Sequence, residues 1–263
     1  MRGGHTLKSF CKINLFLDVK KKSRNAKLHN IQTLSFISDL HDKIVIKKNK
    51  KKHDKVVFIG KFKKHVQKKN NSVIKSLFLL RQLGLIKEKN RYKILVEKNI
   101  PAFSGLGGGS SNAATVLKYF LRKNQITKGR IDFFSKFLGS DLRLFLNSNQ
   151  VFQKNLLEVR SLKKNHSFYF ILVYPFLKCS TKDIYSKLRV FKKFKNKIDR
   201  YQNKSKLNVL NGLKNESNAL ERVILLKFPK IRKILKELKL IKSCQFSRIT
   251  GSGSVCFGLF LTK

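Results

Sequence analysis

Tryptophan is absent from this 263-residue chain, proline occurs three times, and 14 acidic residues face 60 lysines and arginines. Cys11, Cys179, Cys244 and Cys256 form no C-x-x-C pair, and the six histidines fall at no ligand spacing. No structural zinc site is expected, and reduced thiols are the default reading. No apolar run approaches the ~20 residues of a membrane span. The N-terminus also lacks the apolar stretch and cleavage pattern of a signal peptide. A soluble, cytoplasmic protein without a membrane partner is expected.

What is present is a globular composition carrying an extreme charge. Hydrophobic residues at 41% and aromatics at 11% argue against disorder, and the length suits one large domain or two modest ones. The formal charge of +46 attracts any polyanion. Two readings fit it: selected nucleic-acid binding, or drift toward the A/T-rich codons of lysine, asparagine, isoleucine and phenylalanine. The lysines are scattered rather than gathered on one arm or helix, which favours drift and no dedicated nucleic-acid partner.

One stretch organises the rest, residues 96–120, VEKNIPAFSGLGGGSSNAATVLKYF. Ile94, Leu95 and Val96 close an apolar strand, and residues 101–111 hold four glycines and three serines. After Asn112 a helical period begins, with Ala113, Val116, Leu117, Phe120 and Leu121 on one face. Strand, glycine loop and helix N-terminus in that order suit an anion, because free backbone N–H groups and the positive helix end point toward it. Ser110 and Ser111 add hydroxyls for a phosphate or its Mg²⁺. No lysine lies between Lys98 and Lys118, so this is no P-loop. Ser110 stands where a dinucleotide fingerprint needs its third glycine. Taken alone, the loop also fits a plain turn before a helix.

The form GLGGGSSNAA at 105–114 resembles the nucleotide loop of the GHMP kinase superfamily, and specifically that of the 4-diphosphocytidyl-2-C-methyl-D-erythritol kinases. Residues 12–18, KINLFLD, are similar to that family's Lys-Leu-Asn-Leu-Phe-Leu strand. Residues 247–257, SRITGSGSVCF, resemble the third superfamily segment, Ser-x-x-Thr-Gly-Ser-Gly-x-x-x-Phe. The resemblance covers the whole chain. It implies an α+β, two-domain GHMP kinase fold: an N-terminal ribosomal-protein-S5-like domain at 1–150 and a ferredoxin-like α/β domain at 151–263, trimmed at its end. It also implies transfer of phosphate from ATP, with Mg²⁺, to the 2-hydroxyl of 4-diphosphocytidyl-2-C-methyl-D-erythritol. That step belongs to the non-mevalonate, methylerythritol phosphate route to isopentenyl diphosphate. The expected partners are ATP and this small molecule, and the expected state is monomer or homodimer. The rival readings are a kinase with another acceptor, of homoserine or mevalonate type, and a basic nucleic-acid-binding protein without catalysis.

The resemblance also assigns residues. The catalytic base would be Asp141, in Leu138-Gly139-Ser140-Asp141, where the family has Gly-Ala-Asp-Val-Pro; Arg143 replaces the proline. By itself, an aspartate in such a turn is a cap or Asx-turn residue. Lys12 would be the cation beside it. Alternation places Lys12 and Asn14 on one strand face, which solvent-facing residues would satisfy equally well. Cys11 stands for the family's alanine. The nucleotide would meet Pro101, Gly105, Leu106, Gly107, Gly108, Gly109, Ser110 and Ser111. Asn71 would be a further nucleotide contact, and it is also a helix-cap candidate. Asn14, His29, Thr181 and Tyr185 would contact the substrate, His29 and Tyr185 at the cytosine, although Leu28 replaces the tyrosine of the usual stacking clamp.

Elsewhere, residues 44–46 and 56–59 read as a strand pair joined by a lysine-rich hairpin loop. Residues 12–19 read as one strand, 191–206 as an exposed lysine-rich segment, and 231–238 as an amphipathic helix.

Overall fold

The computed structural model describes residues 5–263 apart from 27 and 148. In chain order the first elements are β1 (His5–Asn14), β2 (Asp18–Val19), β3 (Ile31–Asn49), β4 (Lys55–Ile59), α1 (Ser72–Gln82) and β5 (Arg91–Glu97). Next come α2 (Gly108–Phe120), α3 (Lys128–Leu138), α4 (Leu142–Phe145), β6 (Gln150–Gln153), β7 (Val159–Ser161) and β8 (Tyr169–Val173). The last are α5 (Thr181–Ser186), α6 (Lys206–Lys214), α7 (Glu221–Lys227), α8 (Ile231–Leu240), β9 (Phe246–Ile249) and β10 (Cys256–Phe260). The mixture of helices and strands is the expected α+β class. No helix among the described residues is long and apolar enough to cross a membrane.

The described residues form two compact units, those within 1–12, 37–102 and 107–147, and those within 13–36, 103–106 and 148–263. A division at residue 150 treats the domains as consecutive, whereas these units interleave. β1, β3 and the glycine segment each pass from one to the other.

In the first unit β5 is the central strand. Its alternate residues Tyr92, Ile94 and Val96 are buried, as period-two patterning requires. It pairs antiparallel with the later half of β3, Ile44 opposite Val96, and parallel with β4, Val56 opposite Ile94. The expected hairpin between the β3 and β4 segments is therefore corrected: β5 lies between them. An apolar alternation specifies a face but not a neighbour, and β4, exposed at Lys55 and Ile59, is left on the outside. Val73, Leu77 and Leu80 of α1 recur at i, i+4 and i+7, and Ala113, Val116 and Leu117 of α2 at i, i+3 and i+4. These stripes join Ile44, Ile46 and Ile94 in one core.

In the second unit the early part of β3 pairs with β2, Asp18 opposite Gln32, and with β6, Thr33 opposite Gln153. The expected single strand over residues 12–19 is broken at residues 15–17, so β1 ends at Asn14 and β2 resumes at Asp18. A separate antiparallel sheet runs β8-β10-β9, and β10 is buried along its whole length. α8 presents Ile231 and Leu238 to a core with Leu17, Ile224, Ile249 and Cys256.

The lysine-rich segment 191–206 departs from its expected exposure. Lys197 is buried between Asp18 and Glu216, 2.6 Å from the Glu216 Oε2, and Lys192 reaches Asp18 at 3.0 Å. Tyr201 is fully buried and stacks on Phe16 with centroids 5.9 Å apart. A run of charges is solvated only while no acid meets it. Here the acids arrive from residues 18 and 216, beyond the reach of local pattern.

Candidate active site

The glycine loop ends differently from its sequence reading. α2 begins at Gly108, not near Asn112, and Gly107 is its N-cap residue at φ +70° with no side chain to cap it. The backbone N–H groups of Gly108, Gly109 and Ser110 thus stand at an uncapped helix start, and the helical ladder opens with Ser111 N donating to Gly107 O at 3.0 Å. Gly109 is exposed, and a Cβ there would meet nothing nearer than the Ser72 Oγ at 3.8 Å. That is open room for an anion at the positive end of a 13-residue helix.

Two glycines are required by the backbone. At Gly107 a side chain would press on Lys12 Cγ and Phe145 Cζ, each at 3.1 Å, as well as strain the positive φ. At Gly105, φ +81°, a Cβ would collide with the Thr250 carbonyl oxygen. Pro101 and Leu106 are buried and fix the loop's course. The two serines turn their hydroxyls to protein partners: Ser110 Oγ donates to Leu138 O at 3.2 Å, and Ser111 Oγ pairs with Ser9 Oγ at 2.8 Å.

Leu138 ends α3, and Gly139 at φ +105° turns the chain directly beneath Ser110, whose Oγ would lie 2.8 Å from a Cβ at that glycine. This turn carries Asp141. Asp141 occupies the N-cap position of α4 but makes no capping hydrogen bond. Its carboxylate instead meets Lys12 Nζ at 3.4 Å, with the lysine side chain 5% and the aspartate 25% exposed. The capping role open to it from sequence is not the one it plays. Arg143, in place of proline, ties α4 to α3 through Asp132. Cys11 beside Lys12 is fully buried, and burial pushes its thiol up to about 12, so it packs as a neutral group.

Asn71 caps α1: its Oδ1 accepts from Ile74 N at 3.0 Å and its Nδ2 donates to the Gln67 and Lys68 carbonyls. The next residue, Ser72, is the one near Gly109, so Asn71 reaches the loop region through its turn.

The remaining residues belong to the second unit. Asn14 is buried and donates from Nδ2 to Thr33 Oγ1 and Ser35 Oγ, both at 3.0 Å, while its backbone N–H bonds Thr250 Oγ1 at 2.9 Å. Thr181, the first residue of α5, pairs with Ser252 Oγ at 2.9 Å. His29 stacks with Tyr185, centroids 5.9 Å apart, and with Phe191, 5.3 Å apart and 17° from parallel. Its Nδ1 lies 3.1 Å from the Lys20 carbonyl, a fit for donation from that nitrogen. Leu28 is 60% exposed and takes no part in the stack.

Sequence reasoning missed Phe191, concealed in the lysine-rich segment, and the buried group Ser9, Asp42, Lys98 and Asn112 behind α2. Asp42, one of the scarce acids, lies in an otherwise strand-like run and was the available signal.

Residues 71–134 match the GHMP kinases N terminal domain. The chain is 36% identical over 259 residues to the 4-diphosphocytidyl-2-C-methyl-D-erythritol kinase of Pelagibacter ubique, covering 98% of this chain and 89% of that one. The chain belongs to the 4-diphosphocytidyl-2-C-methyl-D-erythritol kinase family. The Buchnera aphidicola enzyme of that name is 32% identical, over 98% of this chain and 87% of its own. The fold agrees. A crystal structure of 4-(cytidine 5'-diphospho)-2C-methyl-D-erythritol kinase superposes with a TM-score of 0.73 at 23% identity, covering 97% and 90% of the two chains. Homoserine kinase from Cytophaga hutchinsonii gives 0.70 at 18% identity, covering 100% and 87%.

Proposed function

We propose that this protein transfers the γ-phosphoryl group of ATP to the 2-hydroxyl of 4-diphosphocytidyl-2-C-methyl-D-erythritol, releasing ADP. The observation that carries the reading is the Lys12–Asp141 pair set beside an uncapped, glycine-lined helix start, in a chain belonging to that kinase family.

Phosphoryl transfer asks a protein for position and charge stabilisation more than for covalent chemistry. The N–H groups opening α2 would hold phosphate oxygens, where Gly109 leaves room for them. Asp141 would accept the proton of the attacking hydroxyl; the new bond joins that oxygen to the γ-phosphorus, and the bond to the β-phosphate oxygen breaks. Lys12 would orient Asp141 and neutralise charge developing on the phosphoryl group. Mg²⁺ supplies charge neutralisation of the phosphates when bound. Among the described residues no three His, Cys, Asp or Glu side chains gather as a metal cage. Mg²⁺ commonly binds through substrate phosphates with one or two carboxylates and water, so such a cage is not required of the protein. In the second unit, Tyr185, Phe191 and His29 would receive the pyrimidine, with Asn14 and Thr181 as further polar contacts.

The test is phosphorus NMR of the protein with Mg-ATP and the cytidylyl methylerythritol. A new phosphate monoester appearing with ADP, and absent with Asp141→Asn, is expected. No monoester from folded wild-type protein would end the proposal.

A further inference from the structure

Asp42 lies in β3, fully buried, and its two carboxylate oxygens serve different parts of the first unit. Oδ1 accepts from the backbone N–H groups of Asn99 at 2.7 Å and Ile100 at 2.8 Å, the residues just before Pro101. Oδ2 accepts from Lys98 Nζ and from Asn112 Nδ2, the latter at 2.9 Å and five residues beyond Gly107. Asn112 Nδ2 also bonds Ser9 Oγ at 2.9 Å, and Ser9 Oγ pairs with Ser111 Oγ. Ser9 shares β1 with Lys12.

Such burial is costly for both ions and persists only where every polar atom is met. Burial holds Lys98 below the usual lysine range against the pull of Asp42. A helix N-terminus already opposes a nearby ammonium, and Lys98 Nζ lies only 3.5 Å from where a Cβ on Gly108 would stand. Core stability alone is served as well by apolar residues of similar volume. What apolar residues cannot do is fasten two backbone N–H groups, a lysine and an asparagine to one carboxylate, with a serine hydroxyl held in turn by that asparagine.

We propose that Asp42 is a positioning residue for the phosphate loop. It pins the strand end before the loop and the helix turn after it to one carboxylate, and through Asn112 and Ser9 it sets α2 in register with the strand bearing Lys12. The inference rests on the nucleotide reading of that loop. It sets where the N–H groups of 108–110 stand relative to a phosphate, and leaves the nucleoside end of ATP untouched.

The test is calorimetric titration of Mg-ATP and of adenosine into wild-type protein, Asp42→Asn and Ser9→Ala, with melting curves alongside. Asp42→Asn should weaken Mg-ATP about tenfold or more, since it forfeits a charged acceptor, and leave adenosine within about twofold. Ser9→Ala keeps the ion pair and should fold even where Asp42→Asn does not; it should weaken Mg-ATP about threefold with adenosine unchanged. Wild-type affinity for Mg-ATP in Ser9→Ala, or equal loss of ATP and adenosine binding, would overturn the inference. Wild-type protein that binds adenosine but gains nothing from the phosphates would instead remove the nucleotide-loop reading, and this inference with it.

Discussion

The two units carry the two halves of the proposed chemistry, and they build them by different means. In the first unit the groups proposed for the phosphates are backbone N–H groups, placed by glycines at positive φ and, in the inference above, by the buried Asp42 carboxylate. In the second, the groups proposed for the pyrimidine are side-chain rings: His29 before β3, Tyr185 on α5 and Phe191 beyond it. A phosphate can be held by backbone geometry because every residue carries the donor. A base must be held by side chains that expose a face and an edge. The first kind of site leaves a compact local signature, and the second is scattered along the chain.

Four substitutions set that contrast under strain, beginning with the largest effect. Asp141→Asn keeps shape and removes the proton acceptor; steady-state kinetics should show kcat lower by about 10²–10⁴-fold, with Mg-ATP affinity retained. Lys197→Met leaves Asp18 and Glu216 buried without their shared cation. Denaturant titration should show a loss of about 3–5 kcal/mol, with ATP affinity of the folded fraction unchanged. Gly107→Ala puts a Cβ against Lys12 at positive φ, a strain of about 1–3 kcal/mol. It should lower kcat/KM about 10–100-fold by displacing the lysine as well as the loop. Phe191→Ala removes one ring from the His29 stack and should raise KM for the cytidylyl substrate about tenfold, with KM for ATP unchanged. If Phe191→Ala also raised KM for ATP, the division of labour between the units would be lost.

That contrast also explains what could be read before the structure. The order strand, glycine loop, helix was visible because β5, Gly107 and α2 are consecutive, whereas the α+β class came with the family resemblance. The helix start was misplaced by four residues, since glycines at 108 and 109 disguise helical backbone as loop. The Asp141 carboxylate could be singled out because acids are rare here, but its partner, 129 residues earlier, came only with the family resemblance. Phe191 and Lys197 were hidden for one reason. Composition averaged them with neighbouring lysines, while half-buried Phe191 meets residue 29 and buried Lys197 meets residues 16, 18 and 216. The β3–β4 hairpin failed likewise, because strand order is a property of the assembled sheet and β5 arrives more than thirty residues after β4.

Acceptor choice tests the account most directly. Phosphate transfer from Mg-ATP should be measured side by side on the cytidylyl methylerythritol, homoserine and mevalonate, at equal concentrations, with Phe191→Ala in parallel. Turnover is expected on the cytidylyl compound alone, with its KM raised in the variant. Turnover on homoserine or mevalonate and none on the cytidylyl compound would contradict it, leaving the phosphate reading of the first unit standing and the base reading of the second wrong.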